Sequence, residues 1–95
     1  KKGNDFHGEY LIYWKNGKIK EKWVYEKGVK QGEYKEFYAW GDVEVETNYK
    51  DDELHGSYKS YYDNGKMYCE GFYYEGEEVG LWKFYHPNGN LKKTF

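Results

Sequence analysis

The chain has 95 residues and a formal net charge of −2, room for one small domain or a stretch of repeats. Its apolar residues include 22 aromatics (13 Tyr, 4 Trp, 5 Phe) but only 12 Leu, Ile, Val or Met, too few for a core of interdigitating aliphatic side chains. So many rings at so low a net charge also exclude a disordered chain, and the protein must fold by setting rings on a regular surface.

Residues 1–7 read as the end of a preceding unit. Glu9 to Trp14 is an aromatic-rich strand, and Asn16-Gly17 predicts a two-residue hairpin turn of type I′, which needs positive φ at both central residues. Ile19 to Tyr25 returns as the second strand, and a looser turn covers Glu26 to Gln31 around Gly28. The pattern then begins again. Gly8, Gly32, Gly56 and Gly80 lie 24 residues apart, as do Gly17, Gly41, Gly65 and Gly89. Tyr10, Tyr34, Tyr58 and Trp82 share one slot; Tyr13, Phe37, Tyr61 and Tyr85 share another; Ile19, Val43, Met67 and Leu91 a third. A fixed period of this length means stacked supersecondary units, here 8–31, 32–55, 56–79 and 80–95. The predicted fold is all-β: a single-layer antiparallel meander of consecutive β-hairpins. Both ends of the chain cut through a unit, so a longer array is expected.

A two-residue turn fixes the register. It pairs Trp14 with Ile19, Ile12 with Glu21 and Tyr10 with Trp23, and in later units Lys35 with Glu46 and Lys59 with Glu70. Those opposite charges support the register independently. One face then carries Tyr10, Trp14, Ile19, Trp23 and Tyr25 with their equivalents, and is the expected core side. The other carries the Lys/Glu pairs and the Tyr13, Phe37, Tyr61, Tyr85 ladder.

Chemistry is sparse. His7 and His55 occupy one slot two units apart, about 19 Å at ~4.8 Å per strand, too far to share a metal. They and His86 are read as turn residues, and no metal site or cofactor is expected. Cys69 reads as a packed or half-exposed thiol, and Ser57 and Ser60 lie in no nucleophile elbow. Asp51, Asp52, Glu53, Glu75, Glu77 and Glu78 fall in the looser turns as solvated charges. All 15 basic residues are Lys; without Arg, and with acids interspersed, nucleic acid is not an expected partner. No apolar run approaches the ~20 residues that span a bilayer, and no signal peptide is visible.

The phrases Tyr61-Tyr62-Asp63-Asn64-Gly65-Lys66, His55-Gly56-Ser57-Tyr58-Lys59 and Gly80-Leu81-Trp82-Lys83-Phe84-Tyr85-His86-Pro87-Asn88-Gly89 resemble the bacterial variant of the MORN repeat. The resemblance covers the chain from Gly8 onward and departs at Leu11, where other units have Lys, and at Trp40, where they have Asn. It implies an elongated single-layer sheet of hairpins, and many bacterial members are YwqK-type antitoxins or immunity partners of toxins. Choline- or glucan-binding cell-wall repeats are also aromatic hairpins, but their units are shorter, near ~20 residues.

The function expected is therefore non-enzymatic: a module that binds another protein, in its concrete form an immunity protein occluding a toxin. The alternatives are a surface array gripping glycan or lipid headgroups, and a structural spacer. An antitoxin would be cytoplasmic; a full-length chain with a signal peptide would be periplasmic or surface-exposed. Aromatics recurring in every unit are framework, so the binding candidates are the rings that break the period: Trp40 first, with its neighbour Tyr38, then Trp14, Trp23, Tyr68 and Tyr74.

Overall fold

The computed structural model describes residues 6–95. Its strands are β1 (Gly8–Tyr13), β2 (Ile19–Glu26), β3 (Val29–Lys30), β4 (Gly32–Phe37), β5 (Val43–Lys50), β6 (Glu53–Tyr61), β7 (Met67–Tyr74), β8 (Glu77–Tyr85) and β9 (Leu91–Thr94). They form one sheet in the order β1-β2-β4-β5-β6-β7-β8-β9, every pair antiparallel, with the short β3 also on β2. The molecule measures 51 × 35 × 11 Å, and ~10 Å is the spacing of just two stacked sheets. This is the single-layer hairpin meander the 24-residue period predicts.

The two kinds of turn are exchanged relative to expectation. At each Asn-Gly site only the glycine has positive φ, 88° at Gly17 and 87° at Gly65. Trp14 N–H donates to the Lys18 carbonyl at 2.8 Å and Gly17 N–H to the Trp14 carbonyl at 2.9 Å. That is a three-residue loop, a type I turn closed by a left-handed glycine. The true two-residue turns are the connections between units. Glu26 faces Val29, Lys50 faces Glu53 and Tyr74 faces Glu77. Both central residues have positive φ: Lys27-Gly28, Asp51-Asp52 and Glu75-Gly76. These are the type I′ turns. Asp52 stands where the other units have glycine, and its carboxylate accepts the Lys30 N–H at 2.7 Å.

The longer loop adds one residue, and a bulge absorbs it. Tyr10 pairs with Trp23 and Ile12 with Glu21, but Tyr13 pairs with Ile19, not Trp14. Lys20 is the extra residue, and Glu44, Tyr68 and Lys92 repeat it. Directly opposed residues share a face, so Ile19 joins Tyr13 on the side away from Trp14 and Trp23. Beyond the bulge the predicted register stands: Lys35 pairs with Glu46, Lys59 with Glu70. Adjacent hairpins continue it through Glu46–Lys59 and Glu70–Lys83.

The predicted core side is the packed one. Tyr34 and Trp82 are 6% exposed and Cys69 5%, with Thr47 and Ser60 the buried polar residues beside them. Rings meet edge-on or tilted in two clusters, the geometry their quadrupoles favour. Trp23, Tyr34 and Tyr49 form one, with centroids 4.0–5.9 Å apart; Tyr58, Tyr73 and Trp82 form the other at 5.2–5.7 Å. A substitution pair links them. In the slot of Trp23 and Thr47 the third unit has Gly71, and a Cβ there would lie 2.1 Å from the Trp82 indole. Large Trp23 faces Tyr34; absent side chain at Gly71 makes room for Trp82. The ring has moved one strand along.

Candidate functional site

One edge of the aromatic face is built by a hydrogen-bonded ladder between successive loops. Trp14 Nε1 donates to the Phe37 carbonyl at 3.2 Å, Tyr38 Oη to Tyr61 at 2.7 Å and Tyr62 Oη to Tyr85 at 2.6 Å. Each step spans 23 residues, one period less one. A second rail runs through the loop asparagines. Asn16 Nδ2 donates to the Ala39 carbonyl and Asn64 Nδ2 to that of Pro87, each at 2.8 Å. Their Oδ1 atoms cap the loop by accepting the Lys18 and Lys66 N–H groups.

Trp40 breaks this second rail. It cannot make either asparagine bond; its indole N–H goes to Asp42 Oδ2 at 3.0 Å. Its ring lies parallel to Tyr38, 4.7 Å between centroids and 2° between planes, and stays 53% exposed. The loop itself keeps its form, since Tyr38 N–H still reaches Asp42 and Gly41 N–H still reaches Tyr38. A large ring has thus been placed at the edge at the expense of two polar links, without altering the backbone.

The remaining candidates divide. Trp14 and Tyr38 join Trp40 at this edge but are also framework donors. Tyr68, at the bulge slot and exposed, meets Tyr62 edge-on at 5.2 Å and Phe84 at 5.9 Å, extending the same ring surface toward β9. Trp23 belongs to the packed cluster, its Nε1 tied to Glu21 at 2.9 Å. Tyr74 does not join them. It packs on His55 at 5.1 Å beside the type I′ turn, the opposite edge of the sheet.

Carboxylates sit among these rings, and sequence reading missed them. Glu21 and Glu36 are directly opposed across β2 and β4; Glu36 accepts from Tyr34 Oη at 2.6 Å. Glu44 occupies the neighbouring bulge, and burial, with Glu36 beside it, pushes its carboxyl above the usual range. Tyr38 is pushed up by burial, then by Glu44 and Asp63; Tyr34 by burial and the Glu36 bond. Tyr58, in the second cluster, is raised by burial to about 12. The signal was available in the period, since the slot holding Glu36 holds Ile12, Ser60 and Phe84 elsewhere.

A second omission lies on the other face. Phe72 and Val79 pair across β7 and β8, and with Leu81 they are 42–61% exposed. Phe72 and Leu81 border a shallow groove with Ser57, Lys59, Glu70 and Lys83. Comparing slots would have found it, because Leu81 replaces Glu9, Glu33 and Ser57.

The reactive groups have local partners. His7 and His55 accept at Nδ1 from the backbone N–H of Lys27 and Glu75 at 3.2 and 3.4 Å, and in their slot Gln31 donates to Asp51 at 2.6 Å. Cys69 is buried 3.1 Å from Ser60 Oγ, and burial raises its thiol above the usual range, which lowers its reactivity. Among the described residues no three His, Cys, Asp or Glu side chains gather to hold a metal.

Comparison with known proteins agrees with this geometry. A solved structure, the crystal structure of TarM, superposes with a TM-score of 0.55 at 17% identity, covering 96% of this chain. The likeness concerns fold alone, and the chain spans 18% of that protein's length. No curated protein matches the chain. The MORN repeat variant matches four times, over residues 6–27, 30–51, 54–75 and 78–95. These matches follow the hairpins and make the protein a repeat module of the binding kind. The chain belongs to the MORN repeat variant family.

Proposed function

We propose that the protein is a non-catalytic module that binds another protein on its aromatic face, at the loop edge centred on Trp40. The observation that carries this is the exchange of two loop hydrogen bonds for an exposed indole stacked on Tyr38. Trp and Tyr are the residues most enriched where interfaces concentrate their energy, and Tyr38 presents its partner ring rigidly. A wide flat sheet with interspersed charge suits protein recognition. The finer form of the reading is an immunity protein or antitoxin whose partner is a toxin; it rests on the resemblance to the YwqK type. A non-catalytic role is supported by the local partners of His7, His55 and Cys69.

Trp40→Asn separates function from fold. It restores the loop asparagine of the other units, and with it a bond to the Asp63 carbonyl, so stability should rise by about 0.5–1 kcal/mol. Capture of the product of a neighbouring toxin gene, co-expressed with this chain, should fall at least about tenfold, the loss of one interface anchor. Unchanged capture by Trp40→Asn would remove this edge as the seat. Tryptophan emission titrated with glycans and with liposomes checks the surface-array alternative, which a saturable shift would favour.

A further inference from the structure

The units of this sheet can be compared slot by slot at the aromatic edge. In the first, the Lys20 ammonium lies over the Trp14 ring, 4.9 Å from its centroid. Elsewhere on the same face Lys30 lies 4.4 Å over Trp23, and Lys93 4.7 Å over Phe95. In the third unit the Lys20 slot holds Tyr68, which meets the Tyr62 ring edge-on. An ammonium and a ring edge both offer positive charge to a neighbouring ring. The second unit does the reverse. Glu44 stands in the Lys20 slot beside Tyr38, which is stacked on Trp40.

The charges around that slot make the contrast sharper. Glu36 adjoins Glu44, and Glu21 is directly opposed to Glu36, a like-charge pairing that destabilises a sheet. Among the described residues the ion pairs are Lys22–Glu9 and Lys35–Glu33, both on the other face. Among the described residues no ammonium lies within salt-bridge distance of Glu21, Glu36 or Glu44. Rings and carboxylates together are the chemistry that holds a desolvated cation: the ring face attracts it, and the carboxylate accepts its charge-assisted hydrogen bonds.

We propose that the second unit takes a lysine or arginine side chain of the partner protein, seated over the Tyr38–Trp40 pair and held by Glu44 and Glu36. The partner supplies the cation that Lys20 supplies to Trp14 within the chain. This rests on the protein-binding reading and gives the partner its chemistry, a basic residue projecting at the interface.

Tetralysine is the probe, followed by tryptophan emission at low salt, with tetraglutamate as control. Tetralysine should give a saturable change and tetraglutamate none. Glu44→Lys, which gives the second unit its own ammonium, should weaken tetralysine binding by about tenfold or more, the scale of one desolvated cation–ring contact. Glu77→Lys makes the same change of charge at the exposed opposite edge and should bind within about twofold of wild type. Absence of a saturable change, or equal weakening by both variants, overturns the proposal. Capture of the protein partner tells the two readings apart. Capture lost in Trp40→Asn but intact in Glu44→Lys sinks the cation seat alone. Tetralysine binding lost in Glu44→Lys, with capture indifferent to Trp40→Asn, leaves the seat and sinks the Trp40 reading.

Discussion

A methyl group at position 71 would fall 2.1 Å from the Trp82 indole, inside any real contact distance. Gly71→Ala should therefore destabilise the sheet by about 3 kcal/mol through overpacking, measured by urea unfolding. Trp82→Tyr with Gly71→Thr rebuilds the Thr47–Tyr58 arrangement of the second unit, and the double variant should recover most of the loss. A strongly negative coupling term in that cycle is the signature sought; additive losses would contradict the exchange. Neither residue disclosed this in the sequence. In its slot Trp82 is one aromatic in place of another, and Gly71 is a glycine outside the repeating set. Their contact crosses from one hairpin to the next, which no single unit displays. Glu44 makes a pH prediction at the same scale. Its carboxyl takes up a proton at higher pH folded than unfolded, so ionisation disfavours the fold and stability falls as pH rises from the ordinary glutamate range through the raised value. Glu44→Gln should melt higher than wild type near pH 7, and the difference should vanish near pH 4.

At the scale of the hairpin, strands and their register were legible while turn types were not. Asn-Gly between aromatic runs signals a type I′ turn, yet the same glycine serves equally as the left-handed residue closing a three-residue loop. The extra loop residue is returned by the bulge at Lys20, so pairs such as Lys35–Glu46 stay in step under either turn. Charge matching was therefore blind to the difference. Substitutions in both kinds of turn check these assignments experimentally. Gly65→Ala forces a side chain into φ 87° and should lower stability by roughly 1–2 kcal/mol. Glu75→Asn puts the preferred residue at the first position of a real type I′ turn and should raise it by a few tenths of a kcal/mol. Asn64 lacks the positive φ a type I′ turn requires, so Asn64→Gly should lower stability by removing its Oδ1 cap on Lys66. A gain there, with a loss at Glu75→Asn, would reverse the assignment.

Across the described residues, backbone pairing joins neighbouring strands. Ring contacts reach at most one strand further, as Trp23–Tyr49 and Tyr58–Trp82 do, so interactions stay local as in other repeat proteins. Removing residues 32–55 takes out one full period, brings β2 beside β6 in unbroken register, and sets Glu21 opposite Ser60 in place of Glu36. The shortened chain should fold, with a urea m-value lower by about a quarter because it exposes that much less surface on unfolding. A chain lacking residues 32–43, half a period, should fail to give a cooperative transition. The fold could be read because glycines, rings and loop asparagines agree unit after unit. The site could be read only where a residue breaks a slot conspicuously, as Trp40 does. Glu36, Glu44, Phe72 and Leu81 break theirs with residues ordinary for a strand, and their meaning depends on which neighbours the stacked hairpins bring beside them.

The thickness of 11 Å has a calorimetric consequence. A domain ordinarily closes its core between two layers, whereas this chain provides one, and most of its large rings keep part of their surface in water. Its unfolding should release a small heat-capacity increment for 95 residues, below the ~12–15 cal/mol/K per residue of two-layer domains. Under the proposed function, a partner laid over the aromatic face supplies the second layer. Its association should carry the complementary, negative heat-capacity change, read by titration calorimetry at several temperatures. On that reading, burial that a two-layer domain completes while folding is deferred here to binding.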